Sequence, residues 1–168
     1  VMICRERMVQ EFVELARIDS LSKKEGRMAS AVIEKLKQLG LEPVQDDAGQ
    51  AIEGEVGNII AHVPATDDSL PALMLNAHID TVSPGENIEP VVEGDEIRSK
   101  GNTIVAADDK CGVVVILETL RALGEEHIPH GDIYIVLTVA EEIGLFGAKH
   151  LDYDRIGAEM AYVLDGGE

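Results

Sequence analysis

The chain has 168 residues, 45% of them hydrophobic, and a formal net charge of −18. That apolar share excludes a disordered chain and suffices for one domain with its own core. The acidic balance excludes nucleic acid and anionic membranes as partners, because both demand a basic face.

The first helix is predicted from about Glu6 to Ile18, with Met8, Phe12, Leu15 and Ala16 on one face. Asp19-Ser20 ends it, and Ser22 is expected to cap a second helix through Glu25, three residues later. That helix runs to about Leu39, with Ala29, Val32, Ile33 and Leu36 inward and Gly40 as its stop. Leu41 to Gln45 reads as a short strand. The acidic, glycine-bearing stretch 46–56 reads as a hairpin or loop. Asn58 to Val63 is a strand, and 64–69 a turn. Ala72 to Ala77 is an apolar strand leading into His78, and Val91 to Ser99 a hairpin around Glu93-Gly94-Asp95. A helix follows from about Asp109 to Leu123, apolar all round at 113–117 and so deeply buried. Ile133 to Val139 is a fully apolar strand, Leu145 to Leu151 a short helix, and Met160 to Leu164 the last strand. This alternation predicts an α/β fold, a three-layer αβα sandwich around a mostly parallel mixed sheet. No apolar run approaches 18 residues, so no membrane span is expected. Two cysteines, Cys4 and Cys111, are too few for a disulfide framework. With no signal-peptide pattern at the N-terminus, a reduced cytoplasm is the expected compartment. Because the chain starts at Val1 and stops just after a strand, it is expected to be part of a longer protein.

Four short stretches at the ends of apolar runs carry the chemistry. His78-Ile79-Asp80 places an imidazole and a carboxylate on one face of a strand end. A metal-bound imidazole usually donates its other N–H to a carboxylate, so this spacing supplies both parts. The plainer alternative is a surface histidine beside a turn aspartate. Asp108-Asp109 opens an apolar helix; a lone aspartate there would merely cap it, whereas a carboxylate with both oxygens free can bridge two cations. Glu141-Glu142 follows a buried strand, where two like charges repel unless something positive lies beside them. One glutamate binding metal and its neighbour taking a proton from water would resolve that conflict. Asp165-Gly166-Gly167 puts a further carboxylate before a turn, a weak signal alone. Open α/β sheets bind ligands beyond the carboxyl ends of their strands, where these four stretches fall. His62, His127, His130 and His150 read as surface or core residues, and Cys111 as a small core residue. There is neither a phosphate-binding loop nor a Gly-x-Ser-x-Gly elbow.

In this order the motifs resemble the co-catalytic zinc peptidases of the M20 family, in particular its peptidase T (tripeptide aminopeptidase) and peptidase T-like branch. His-Ile-Asp-Thr-Val-Ser-Pro-Gly, Ala-Asp-Asp-Lys-Cys-Gly and Glu-Glu-Ile-Gly-Leu-Phe-Gly-Ala carry the likeness, which spans nearly the whole chain. The resemblance implies two divalent metal ions, zinc first, with Co²⁺ or Mn²⁺ also accepted by such ligands. By it His78 binds the first metal and Asp80 orients its ring. Asp108 bridges, Glu142 binds the second metal, Asp165 completes the first site, and Glu141 is the general base. The implied reaction is attack of a metal-activated water on a peptide carbonyl of a tripeptide or similarly short peptide, releasing the N-terminal residue. A cis peptide between Asp108 and Asp109 is implied as well. Ala107, Asp109 and Cys111 stand where many members have Gly, Met and Ala. Residues 1–168 would be the N-terminal part of the catalytic domain. A lid and dimerisation domain, and a C-terminal catalytic segment with one more histidine ligand, would lie beyond it. The parent would then be a homodimer, whereas the isolated piece would self-associate and turn over little. Two other readings stay open: a deacylase or carboxypeptidase with the same metal chemistry, and a non-catalytic scaffold that kept the fold.

Overall fold

The computed structural model describes residues 2–166. Its elements run α1 (Arg5–Ala16), α2 (Gly26–Gln38), β1 (Val44–Gln45), α3 (Ala48–Ile52), β2 (Ile59–Val63) and β3 (Leu73–His78). The hairpin β4 (Pro90–Glu93) and β5 (Glu96–Ser99) follows, then α4 (Ala107–Glu125), β6 (Ile133–Thr138) and α5 (Phe146–Lys149). A 3-10 turn at Tyr153–Arg155 precedes β7 (Met160–Val163). The stretch expected as a hairpin or loop contains α3 instead. Ala48 and Ile52 are buried there, and the Asp46 carboxylate accepts the N–H of Ala48 at 3.0 Å and of Asn58 at 2.9 Å. The Ala48 bond is local, but the burial and the Asn58 bond come from chain beyond this turn, and a helix of five residues is too short to show a periodicity.

The sheet order is β1-β2-β6-β3-β7. Strand β3 lies parallel to both β6 and β7, while β2 is antiparallel to β1 and β6. Central β6 is apolar on both faces, as a strand covered on both sides has to be. Ile133, Ile135 and Leu137 face a core built with Leu15 of α1, Met28, Val32 and Leu36 of α2, and Val113 and Leu117 of α4. Val136 points the other way, where Ile60, Met74, Leu151 and Ile156 form a thinner layer. Within α4, Val115 and Cys111 are exposed, contrary to the expectation of an all-round buried helix. They line a cavity of about 280 Å³ left between α1, α4 and β5, together with Met8, Phe12 and Ile97. No helix of the described residues is long and apolar enough to cross a membrane.

Two reciprocal forks lock α1 to α4. Arg7 donates to Glu118 at 2.7 and 2.8 Å, and Arg121 donates to Glu11 at 2.5 and 2.8 Å. Hydrogen bonds from Arg7 hold the Glu118 carboxyl below its ordinary value. Burial pushes Glu11 up, but Arg121 and Lys35 outweigh it and the net displacement is also downward. A depressed folded pKa means that this stability is present above the unfolded glutamate value, about 4.3, and is lost as pH falls through the folded value. Glu118→Gln is therefore expected to cost about 2 kcal/mol at pH 7, with a shallower loss of melting temperature below pH ~4.3. Thermal melts from pH 7 to 3 check this. Equal acid sensitivity in both proteins would mean that another group governs it.

Candidate metal centre

Three parallel strands deliver the site side by side. His78 of β3 pairs in register with Thr138 of β6, and Leu164, just after β7, donates its N–H to Asn76 of β3 at 2.8 Å. The carboxyl ends of β6, β3 and β7 therefore align, and each runs straight on into Glu141-Glu142, His78-Ile79-Asp80 or Asp165. Gly167 of the last motif lies outside the described residues. The fourth motif enters from the start of α4. There Ala106 adopts left-handed φ of 61°, and the Asp108–Asp109 peptide is cis, as the resemblance implies. Regular helix begins only after Asp109.

The two adjacent aspartates do different things. Asp108 is exposed, with Oδ1 2.9 Å from His78 Nε2. Asp109 is buried and accepts the backbone N–H of His78 and of Gly112, each at 3.1 Å. It ties the end of β3 to the first turn of α4. A Cβ on Gly112 would lie 2.4 Å from the Asp109 carboxylate, so only glycine leaves room for that bond.

His78 is buried, with Nδ1 3.0 Å from the backbone oxygen of Asp80 and 3.3 Å from its Oδ1. Ring orientation thus comes from main chain and carboxylate together. The Asp80 carboxylate has further partners. It accepts Ser22 Oγ–H at 2.6 Å, Glu141 N–H at 2.9 Å and Glu142 N–H at 3.2 Å. Ser22 therefore serves Asp80 and not the start of α2, where no side-chain cap forms.

All six residues expected at the site come together. Ligand atoms of His78, Asp108 and Asp165 lie within 4.8 Å of one another, and so do those of His78, Glu141 and Glu142. Glu141 Oε2 is 3.8 Å and Asp165 Oδ2 4.0 Å from His78 Nε2. The second group joins Glu142 to His78, whereas the resemblance pairs it with Asp108. Asp108 is still near enough to push the Glu142 carboxyl upward.

The electrostatics fit a cation. Burial opposes a charged imidazole, yet the carboxylates of Asp80, Asp108 and Asp109 outweigh it and raise His78 to about 10. Burial first, then neighbouring carboxylates, pushes Glu141 and Glu142 up. Burial lifts Asp109 to about 6. Negative charge is concentrated in one place, and an imidazole nitrogen with carboxylate oxygens is a donor set for divalent metal ions. His62 is exposed, 2.6 Å from Asp132 and stacked on Tyr134, well apart from this cluster in its partners.

One feature invisible in the sequence supports the site from behind. Lys110 is fully buried, its ammonium donating to the carbonyls of Leu15 at 3.1 Å and Ile18 at 2.6 Å. It caps the end of α1, and burial lowers it to about 8. The only hint was its place beside two aspartates entering an apolar helix.

The model of Peptidase family M28 matches residues 58–165, a stretch that holds all six residues. An aminopeptidase PepT from Bacillus cereus is 42% identical with a TM-score of 0.96, covering 100% of this chain and 45% of its own. A tripeptidase from Staphylococcus aureus is 38% identical with a TM-score of 0.95, again over 100% of this chain and 45% of its own. Peptidase T of Salmonella typhimurium is 32% identical over 96% of this chain. The chain spans about half the length, 44% to 48%, of the curated relatives it matches. Peptidase T and tripeptidase chains, the branch to which the four motifs pointed, are thus among its relatives, while the matching family description is that of M28. On the match over residues 58–165, the chain belongs to Peptidase family M28, and it is similar over nearly its whole length to peptidase T and tripeptidase chains.

Proposed function

We propose that this chain carries the metal centre of a metallo-aminopeptidase that removes the N-terminal residue from tripeptides or similarly short peptides. The observation that carries the reading is the convergence of His78, Asp108 and Asp165 within 4.8 Å, with Glu141 Oε2 3.8 Å from the same imidazole nitrogen. The peptide preference is supported by the tripeptidase and peptidase T relatives. His78, Asp108 and Asp165 would hold one divalent ion, and Asp108 with Glu142 a second, zinc being the first choice and Co²⁺ or Mn²⁺ the alternatives. Bound there, the metals supply Lewis acidity toward the scissile carbonyl and toward water.

The protein's own groups do the rest. Glu141 takes a proton from the attacking water and passes it to the leaving nitrogen. Its Oε2 lies 3.8 Å from His78 Nε2, beside the place where the ion would be held. Asp80 keeps His78 in the tautomer with Nδ1 protonated, leaving Nε2 free to bind. It also holds the backbone of Glu141 and Glu142, so the base and a ligand keep their spacing from the imidazole.

The same proposal makes residues 1–168 the N-terminal part of the catalytic domain, with a lid and dimerisation domain and a further ligand supplied beyond them. A reduced, cytoplasmic setting suits two free thiols, one of them exposed. The test is peptide hydrolysis by the protein expressed from its full natural reading frame. Release of the N-terminal residue from a tripeptide, abolished by chelator and restored by zinc, is expected, with little or no turnover by residues 1–168 alone. Chelator-resistant cleavage, or cleavage only of acylated amino acids, would overturn the reading.

A further inference from the structure

Four successive backbone N–H groups after β6 are each bound by a side chain from elsewhere in the chain. Val139 donates to Asn58 Oδ1 at 3.1 Å and Ala140 to Glu25 Oε1 at 3.0 Å. Glu141 and Glu142 donate to the two oxygens of Asp80 at 2.9 and 3.2 Å. The chain turns within this run at Ala140, whose φ of 49° is left-handed and unfavourable for alanine. The bond from Ala140 N–H fixes the peptide plane before Ala140, and the bond from Glu141 N–H fixes the plane after it. The same two planes are held from their other side by Gly147 N–H on the Val139 carbonyl and Phe146 N–H on the Ala140 carbonyl, each at 3.0 Å, so that the four bonds together set both dihedrals of Ala140 and the direction in which Glu141 leaves the strand.

Glu25 is fully buried, directly before α2, and its Oε1 also accepts the N–H of Lys23 at 2.9 Å. Its Oε2 is buried with no hydrogen-bond partner among the described residues. Burying a carboxylate is costly, and a serine or aspartate would satisfy a helix start with less of it inside. What the longer side chain adds is its reach to Ala140.

We propose that Glu25 is a positioning residue that acts on Glu141 through the Ala140 peptide. This rests on the reading of Glu141 as the base. Glu25 touches no metal ligand side chain and takes no part in proton transfer; it supplies one fixed acceptor.

Two substitutions in the protein from the full reading frame separate the acceptor from the bulk of the side chain. Glu25→Gln keeps a carbonyl oxygen at the same reach. Glu25→Met keeps length and volume but removes the acceptor. Glu25→Met is expected to lower kcat for a tripeptide about 10–100-fold, and Glu25→Gln to stay close to wild type. KM is expected to move by less than about 3-fold in either, since substrate contacts are untouched. Amide hydrogen exchange across residues 138–146 should accelerate in Glu25→Met and not in Glu25→Gln. Should the methionine variant fail to fold, Glu25→Asp, whose acceptor is one methylene short of Ala140, is expected to show the same loss. Exchange needs no substrate, so it decides on Glu25 even if the wild-type protein proves not to cleave peptides. Wild-type kcat and exchange in a folded Glu25→Met protein, or a Glu25→Gln protein as impaired as Glu25→Met, would overturn the proposal.

Discussion

Glu141→Gln is expected to reduce tripeptide hydrolysis by the protein from the full reading frame about 10²- to 10⁴-fold, the usual contribution of a positioned general base. Zinc content and KM should stay near wild type. Glutamine has the same shape, and the backbone N–H that Glu141 donates to Asp80 is untouched. The group lost is a carboxylate, with an oxygen 3.8 Å from His78 Nε2, that its surroundings hold above the ordinary glutamate range. Steady-state kinetics with metal analysis of the same preparations check the prediction. Activity within a few-fold of wild type would remove Glu141 from the base role. Loss of zinc along with activity would instead make it a ligand.

Asp80→Ala should do more damage of a different kind. Asp80 is fully buried and accepts hydrogen bonds from Ser22, Glu141 and Glu142, while its Oδ1 lies 3.3 Å from His78 Nδ1. Removing it strands these donors around a buried hole. The expected loss of stability is about 3–5 kcal/mol, the range for breaking a buried charged contact by deleting one partner. Zinc affinity should fall about 10–100-fold as the imidazole loses one of its two anchors. Its remaining anchor, the backbone oxygen of residue 80 at 3.0 Å, is why binding should weaken and not vanish. Denaturant unfolding and zinc competition against a chromogenic chelator measure both. Unchanged stability with unchanged affinity would contradict the geometry described for Asp80.

The sheet was legible because its strands advertise themselves. The run from Ile133 to Val139 and the run ending at His78 are apolar, short and followed directly by acidic or metal-type residues, so the placement of the site at their ends followed from pattern alone. What the sequence concealed depends on long-range partners. Ser22 and Glu25 have the spacing of a capping box, yet their side chains go to Asp80 and Ala140, dozens of residues away. Lys110 has every local reason to be on the surface; the carbonyls of Leu15 and Ile18 at the end of α1, brought there by tertiary packing, explain its burial. Cys111 sits in an apolar helix, but α1 and β5 leave a cavity on that side, so it is exposed where the core was expected. For Asp109 the sequence showed only a carboxylate opening a helix where many members have Met. Its two backbone donors show it to be a structural clamp between β3 and α4.

Two metal ions on His78, Asp108, Asp165 and Glu142, with Asp80 behind the imidazole and Glu141 as the base, are what the proposed function requires. The measurement that tests this most directly is an anomalous difference map at the zinc edge from crystals of the protein expressed from its full reading frame. Two peaks are expected, one bounded by His78, Asp108 and Asp165 and the other by Asp108 and Glu142, with Glu141 beside both and bound to neither. A map with no peak at this cluster in zinc-loaded crystals, or with peaks only at other residues, would contradict the proposed function.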